Sequence, residues 1–204
     1  MKVGVIDLET GNLASLIAAI KKLNIQFSVC KSQTDFNEIN KLILPGVGAF
    51  KDFMSKIREN GIDKLLKKKL DENVKLLGVC VGFQVLFEES NEFGLNKGLS
   101  LIKGQIQSFK NFSPYTKIPH VGWNNCKIIN KSKLFEGIEN NSDFYFTHSY
   151  ALQRSLNATT LTLTNYDIEF ISSINKDNIF GVQFHPEKSQ SNGLKLLKNY
   201  IENC

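Results

Sequence analysis

At 204 residues, 42% hydrophobic and 22% charged, the chain is long enough to close a sizeable core without metals or disulfides, and a single domain spanning 1–204 is expected. Its net charge of +5 is dispersed, and the one dense basic patch (Lys64, Lys67, Lys68, Lys69) is flanked by Asp63, Asp71 and Glu72 as on a solvated helix face, which argues against nucleic-acid binding. The four cysteines form no C-x-x-C pair, and Leu13 to Ile20 is far short of the ~18 residues of a membrane span; zinc, dithiol and membrane classes drop out, no cofactor is implied, and a cytoplasmic protein with free thiols is expected.

The first half alternates strand-like and helix-like runs: KVGVID, LASLIAAIKKL, QFSVC, KLILPG, an amphipathic stretch from Phe50 to Glu72, and VKLLGVC. Such alternation predicts an α/β fold, with a mainly parallel sheet covered by helices on both faces. In the first helix Leu13, Leu16, Ile17 and Ile20 recur at three- and four-residue spacing, with Asn12 as N-cap. From Gly98 onward short strand-like runs predominate (SLIKGQIQSF, NCKIIN, DFYFTHSYAL, TTLTLTNY, EFISSI, NIFGVQF), which adds antiparallel strands before a closing helix, SNGLKLLKNYIENC.

Cys80 sits at the end of an apolar strand-like run, between Gly78 and Gly82, with Phe83, Val85, Leu86 and Phe87 set to continue as a helix. A strand that turns abruptly into a helix strains its junction residue and crowds the positions two before and two after it, where glycine fits. The thiol would then project above the carboxyl end of the sheet, where ligands bind in open α/β folds, with the Val81 N–H beside it as an oxyanion donor.

A nucleophilic cysteine needs a base, and one of only three histidines stands in GVQFHPEKSQ. Proline biases His185 toward extended backbone, where residues two apart project to the same side, so Glu187 can orient the imidazole while its other nitrogen faces Cys80. Acyl transfer also calls for a second oxyanion donor, each such donor being worth ~2.7–4 kcal/mol. The strand-end turn LPGVG supplies one, from Val47 with Gly46 or Gly48 as alternatives.

With LPGVGAF, GVCVGFQ and QFHPEKS in this order, the chain resembles the triad-type, class I glutamine amidotransferases. GNLASL, PHVGWN, YFTHSYAL and the tail HPEKSQSNGLKLLKNY narrow the likeness to glutaminase subunits of imidazole glycerol phosphate synthases, over nearly the whole chain. The resemblance implies hydrolysis of L-glutamine to glutamate and ammonia, the ammonia passing to a separate (β/α)₈-barrel cyclase subunit in histidine biosynthesis. It implies that Gln84 and Glu92 hold the glutamine, that His148, Ser149 and Tyr150 line its amino-acid end, and that Asn12, Pro119, His120, Trp123 and Lys188 face the partner.

The first loop departs from the family's usual D-Y-G-x-G-N: here it reads Asp7-Leu8-Glu9-Thr10-Gly11-Asn12. The aromatic and the first glycine are gone and a carboxylate is added. That leaves the glutaminase chemistry unchanged but keeps open a second partner, a cyclase-like protein that builds amidino groups on surface sugars. A third reading, a non-catalytic or redox-sensing binder of the same fold, is opposed by the intact His185-Pro186-Glu187.

Overall fold

The computed structural model describes residues 2–9, 11 and 13–204. Its strands are β1 (Val3–Ile6), β2 (Phe27–Cys30), β3 (Lys41–Gly46), β4 (Lys75–Cys80), β5 (Phe87–Ser90), β6 (Asn96–Lys97), β7 (Ile102–Ser108), β8 (His120–Ile128), β9 (Ser142–His148), β10 (Tyr150–Leu152), β11 (Thr159–Tyr166), β12 (Ile168–Lys176) and β13 (Ile179–Val182). The helices are α1 (Leu13–Lys22), α2 (Phe50–Glu59), α3 (Ile62–Asp71), α4 (Val81–Gln84), α5 (Phe109–Phe112) and α6 (Gln190–Glu202).

Strands β2-β1-β3-β4-β13 run parallel, the order of a doubly wound fold with β13 as its fifth strand. β12 then joins antiparallel, followed by β10, β7, β5 and β6, while β11, β8 and β9 extend a branch from β12. The parallel strands read as continuous apolar runs because both their faces are buried: all four residues of β1 and of β13 are buried.

Each long helix buries one stripe. In α2 the stripe is Phe50, Phe53, Met54 and Ile57, spaced three and four apart. The amphipathic stretch from Phe50 to Glu72 is two helices rather than one, because Gly61 takes the left-handed region (φ 65°) at the junction. Lys41 is the one charged residue in an otherwise apolar β3. Its Nζ donates to the carbonyls of Tyr200, Ile201 and Cys204, at 3.0, 2.6 and 2.7 Å, and so satisfies acceptors left over at the end of α6.

Register sets up the site. Gly46 at the end of β3 pairs with Cys80 at the end of β4, and on the other side Val182 of β13 pairs with Val79. The three segments that leave these strand ends, Val47–Gly48, Val81–Gln84 and Gln183–Glu187, therefore emerge side by side. Among the described residues no helix is long and apolar enough to cross a membrane.

Candidate active site

The junction at Cys80 has the expected strain: φ 56°, ψ −111°, a conformation that costs a non-glycine residue ~1–3 kcal/mol and persists only where its surroundings enforce it. The enforcement comes from close packing. A Cβ on Gly78 would lie 2.6 Å from the Gly82 carbonyl oxygen, and one on Gly82 only 1.9 Å from that of Leu44 in β3. The two glycines thus answer different neighbours: Gly78 admits the turn itself, and Gly82 admits the turn against β3. Because the obstruction at Gly82 is backbone, Gly82→Ala is expected to cost at least ~4 kcal/mol of stability in urea denaturation; a loss under ~1 kcal/mol would contradict this packing.

The helix after the cysteine differs from expectation. α4 is one turn, Val81–Gln84, and the chain re-enters the sheet at Phe87. Val85, Leu86 and Phe87 are apolar on every side, so they suit a buried strand edge as well as a helix, and β7 offers Phe87 a partner at Ile102.

Across the strand ends, the imidazole Nδ1 of His185 lies 2.7 Å from Glu187 Oε1, with the two side chains 1% and 3% exposed. The pair closes by a turn rather than by an extended chain: His185 is extended (φ −100°, ψ 95°), but Pro186–Lys188 form a 3₁₀ turn that swings the carboxylate back. Ser189 fixes this turn, its hydroxyl donating to the His185 carbonyl at 2.6 Å while accepting from the Tyr145 N–H at 3.0 Å. Nε2 of His185 is buried, and with Nδ1 taken by Glu187 it is the nitrogen left for the Cys80 sulfur. Burial alone pulls the imidazolium down; the Cys80 sulfur, and after it Glu187, outweigh burial and hold His185 up at about 10.

These groups open on a cavity of about 290 Å³ lined by Val47, Gly48, Cys80, Val81, Gln84, Glu92, Pro119, Thr147, His148, Ser149, Tyr150 and His185. Nearly every residue expected to touch substrate is therefore brought to one pocket, Glu187 standing behind His185. A larger groove of about 520 Å³, lined by Ile128, Phe135, Ile138 and two lysines among others, holds no such convergence of nucleophile and base. Gly48 adopts φ 96°, the left-handed bend a glycine permits at the LPGVG turn.

The polar walls are already hydrogen-bonded. Gln84 Nε2 donates to the Tyr150 carbonyl and to Gln183 Oε1, both at 3.0 Å, which leaves its own oxygen as acceptor. Glu92 Oε2 accepts from the Phe50 N–H at 2.6 Å, at the start of α2, and burial raises its carboxyl above the ordinary range. Gln183 is a residue the motif reading passed over. Fully buried, it turns Nε2 toward Cys80 Sγ at 3.9 Å.

The partner-facing candidates divide. Trp123 is 48% exposed and meets Tyr145 edge-on, its cross-strand partner, while Lys188 Nζ lies 5.6 Å from the Tyr145 ring; Pro119 is exposed at the pocket mouth. His120 is corrected: it is 3% exposed and stacked between Phe146 and Tyr166, because the inward positions of β8 alternate with the outward Val121 and Trp123. Asn12 lies outside the described residues. In the altered first loop Leu8 is buried and Glu9 points outward, its carboxylate 3.5 Å from Lys31 Nζ.

Residues 4–204 match the family model described as glutamine amidotransferase class-I. Among curated proteins, the chain is 42% identical to the imidazole glycerol phosphate synthase subunit HisH of Sulfurimonas denitrificans over 202 residues, covering 98% of this chain and 97% of that one. It is also 42% identical over 200 residues to the protein of the same name from Methanocaldococcus jannaschii, covering 98% of each. A crystal structure of a glutamine amidotransferase superposes with a TM-score of 0.77 at 19% identity, over 98% of this chain and 97% of that one. The PurLQS structure from Thermotoga maritima gives 0.77 at 16% identity over the same shares, a likeness of fold.

Proposed function

This chain belongs to the class-I glutamine amidotransferases, and on that footing we propose that it is the glutaminase subunit of an imidazole glycerol phosphate synthase, acting in the cytoplasm as a single domain. The observation that carries the chemistry is the strained Cys80 opening on the same cavity as the buried His185–Glu187 pair. Relatives named imidazole glycerol phosphate synthase subunit HisH, matched over 97% and 98% of their own length, support the pathway over a surface-sugar partner.

In this reading the Cys80 sulfur attacks the side-chain amide carbon of L-glutamine. The charge that develops on oxygen is taken up by backbone N–H groups of Val81 and of Val47 or Gly48. His185 donates its proton to the leaving nitrogen, ammonia departs, and a thioester remains. His185 then takes a proton from water, whose oxygen attacks the thioester carbon and releases glutamate. Gln84 and Glu92 hold the substrate, with His148, Ser149 and Tyr150 at its amino-acid end.

Ammonia set free in neutral water would be protonated and lose its nucleophilicity, so the reading includes a partner: a cyclase subunit of (β/α)₈-barrel type. Exposed Trp123, Pro119 and Lys188 beside the pocket support this docking face, and Val121 extends its apolar area. Glutamine hydrolysis is expected to be slow in the isolated chain and to rise at least ~10-fold when a histidine-pathway cyclase and its substrate are added, read as glutamate release. An unchanged rate would count against the histidine pathway. A rise only with a sugar-modifying cyclase would move the chain to that pathway.

A further inference from the structure

Two buried histidines, His148 at the substrate's amino-acid end and His120 behind it, form a bond that the chemistry above does not use. β8 and β9 pair His120 with His148, and the rings meet with Nδ1 of His120 at 3.0 Å from Nε2 of His148. Hydrogen-bond accounting fixes every proton in this pair. The Tyr150 carbonyl can only accept, so His148 carries its proton on Nδ1, which donates at 2.8 Å. Neutral His148 then accepts at Nε2, so His120 must donate from Nδ1. Its own Nε2 in turn accepts from Asn124 Nδ2 at 3.2 Å. Burial keeps both rings neutral, with His120 pulled down to about 4 and His148, lowered further by His120, to about 3.

The chain of donors ends at the nucleophile's pocket. The Tyr150 carbonyl that receives the His148 proton also receives Gln84 Nε2, and this sets which end of the Gln84 amide faces the cavity. Gln84 in turn gives its second N–H to Gln183 Oε1, which leaves the Gln183 amide nitrogen toward the Cys80 sulfur. Reversing any one donor would set two acceptors or two donors face to face between buried side chains, which costs more than the bond itself is worth.

We propose that His120 is a positioning residue for glutamine hydrolysis: its Nδ1–H holds the His148 ring against the Tyr150 carbonyl, the acceptor to which the substrate-binding Gln84 also donates. This rests on the glutaminase reading of the site. His120 lies on β8, between the docking-face residues Pro119 and Val121, so the same bond ties that strand to the substrate wall.

Two variants separate hydrogen bonding from packing. His120→Phe keeps an aromatic ring between Phe146 and Tyr166 but has no donor; His120→Asn keeps an N–H near the Nδ1 position but loses the ring. With the cyclase subunit present, His120→Phe is expected to lower kcat/KM for glutamine by about tenfold, mainly through KM, and His120→Asn to recover most of it. Equal impairment in both variants, or a normal KM in His120→Phe, would overturn the proposal. If the variants fail to fold, ¹⁵N chemical shifts of the wild-type imidazoles decide it: His120 and His148 are both expected to be Nδ1–H tautomers, and an Nε2–H tautomer at either would overturn it. The NMR reading is independent of activity, so an enzyme that failed to hydrolyse glutamine would refute the functional reading and leave the tautomer result standing.

Discussion

Cys80→Ala is expected to lower glutamine turnover by ~10⁶-fold, because members of a triad act as a unit and removing the nucleophile removes the covalent route altogether. The companion measurement is labelling by a glutamine-analogue electrophile, expected at Cys80 and nowhere else. Selectivity follows from the surroundings of the other thiols. Cys30 and Cys126 are buried, and burial pushes each up to about 11; Cys204 is raised by burial too. Cys80, although only 3% exposed, opens on the cavity. Labelling that persists in Cys80→Ala, or turnover that survives it, would remove Cys80 from the mechanism.

The parts of the site that local spacing could express were legible in the sequence. G-x-C-x-G encodes the elbow because a junction with φ 56° needs small neighbours two residues to either side, and that constraint is local. LPGVG could be placed beside it because both follow apolar runs of a parallel sheet, which the register of Gly46 with Cys80 bears out. The helix after Cys80 stops at one turn where the sequence suggests more, because the apolar run Val85–Phe87 carries no period that separates helix from strand. Gln183 carries a signal of its own: a glutamine at the end of the apolar run NIFGVQF is buried and has to find a partner. The His120–His148 bond was not readable at all. The two residues are 28 apart, and only the β8–β9 register brings them together. The same register turned His120 inward and left Trp123 outside.

Glu187→Gln is expected to leave the fold intact and to lower kcat by ~10²–10⁴-fold, the range seen when a buried carboxylate that orients a catalytic imidazole is replaced by its amide. The carboxylate accepts from His185 Nδ1 at 2.7 Å with both side chains buried, so its charge is little screened, and an amide of the same shape keeps the volume while removing that charge. The sign of the pH effect follows. His185 is held at about 10 in the folded chain against an ordinary 6.5, so the ion pair's contribution to stability is fully present below pH 6.5 and is lost as pH rises through 10. Glu187 is one of the two groups that hold it up, the Cys80 sulfur being the other and the larger. In Glu187→Gln the loss of stability should therefore start from the same pH but be smaller and complete at lower pH than in the wild type, read as urea midpoints across that window. A variant with wild-type kcat and an unshifted stability profile would mean that Glu187 neither orients nor charges the imidazole, and His185 would then need another partner to serve as acid and base.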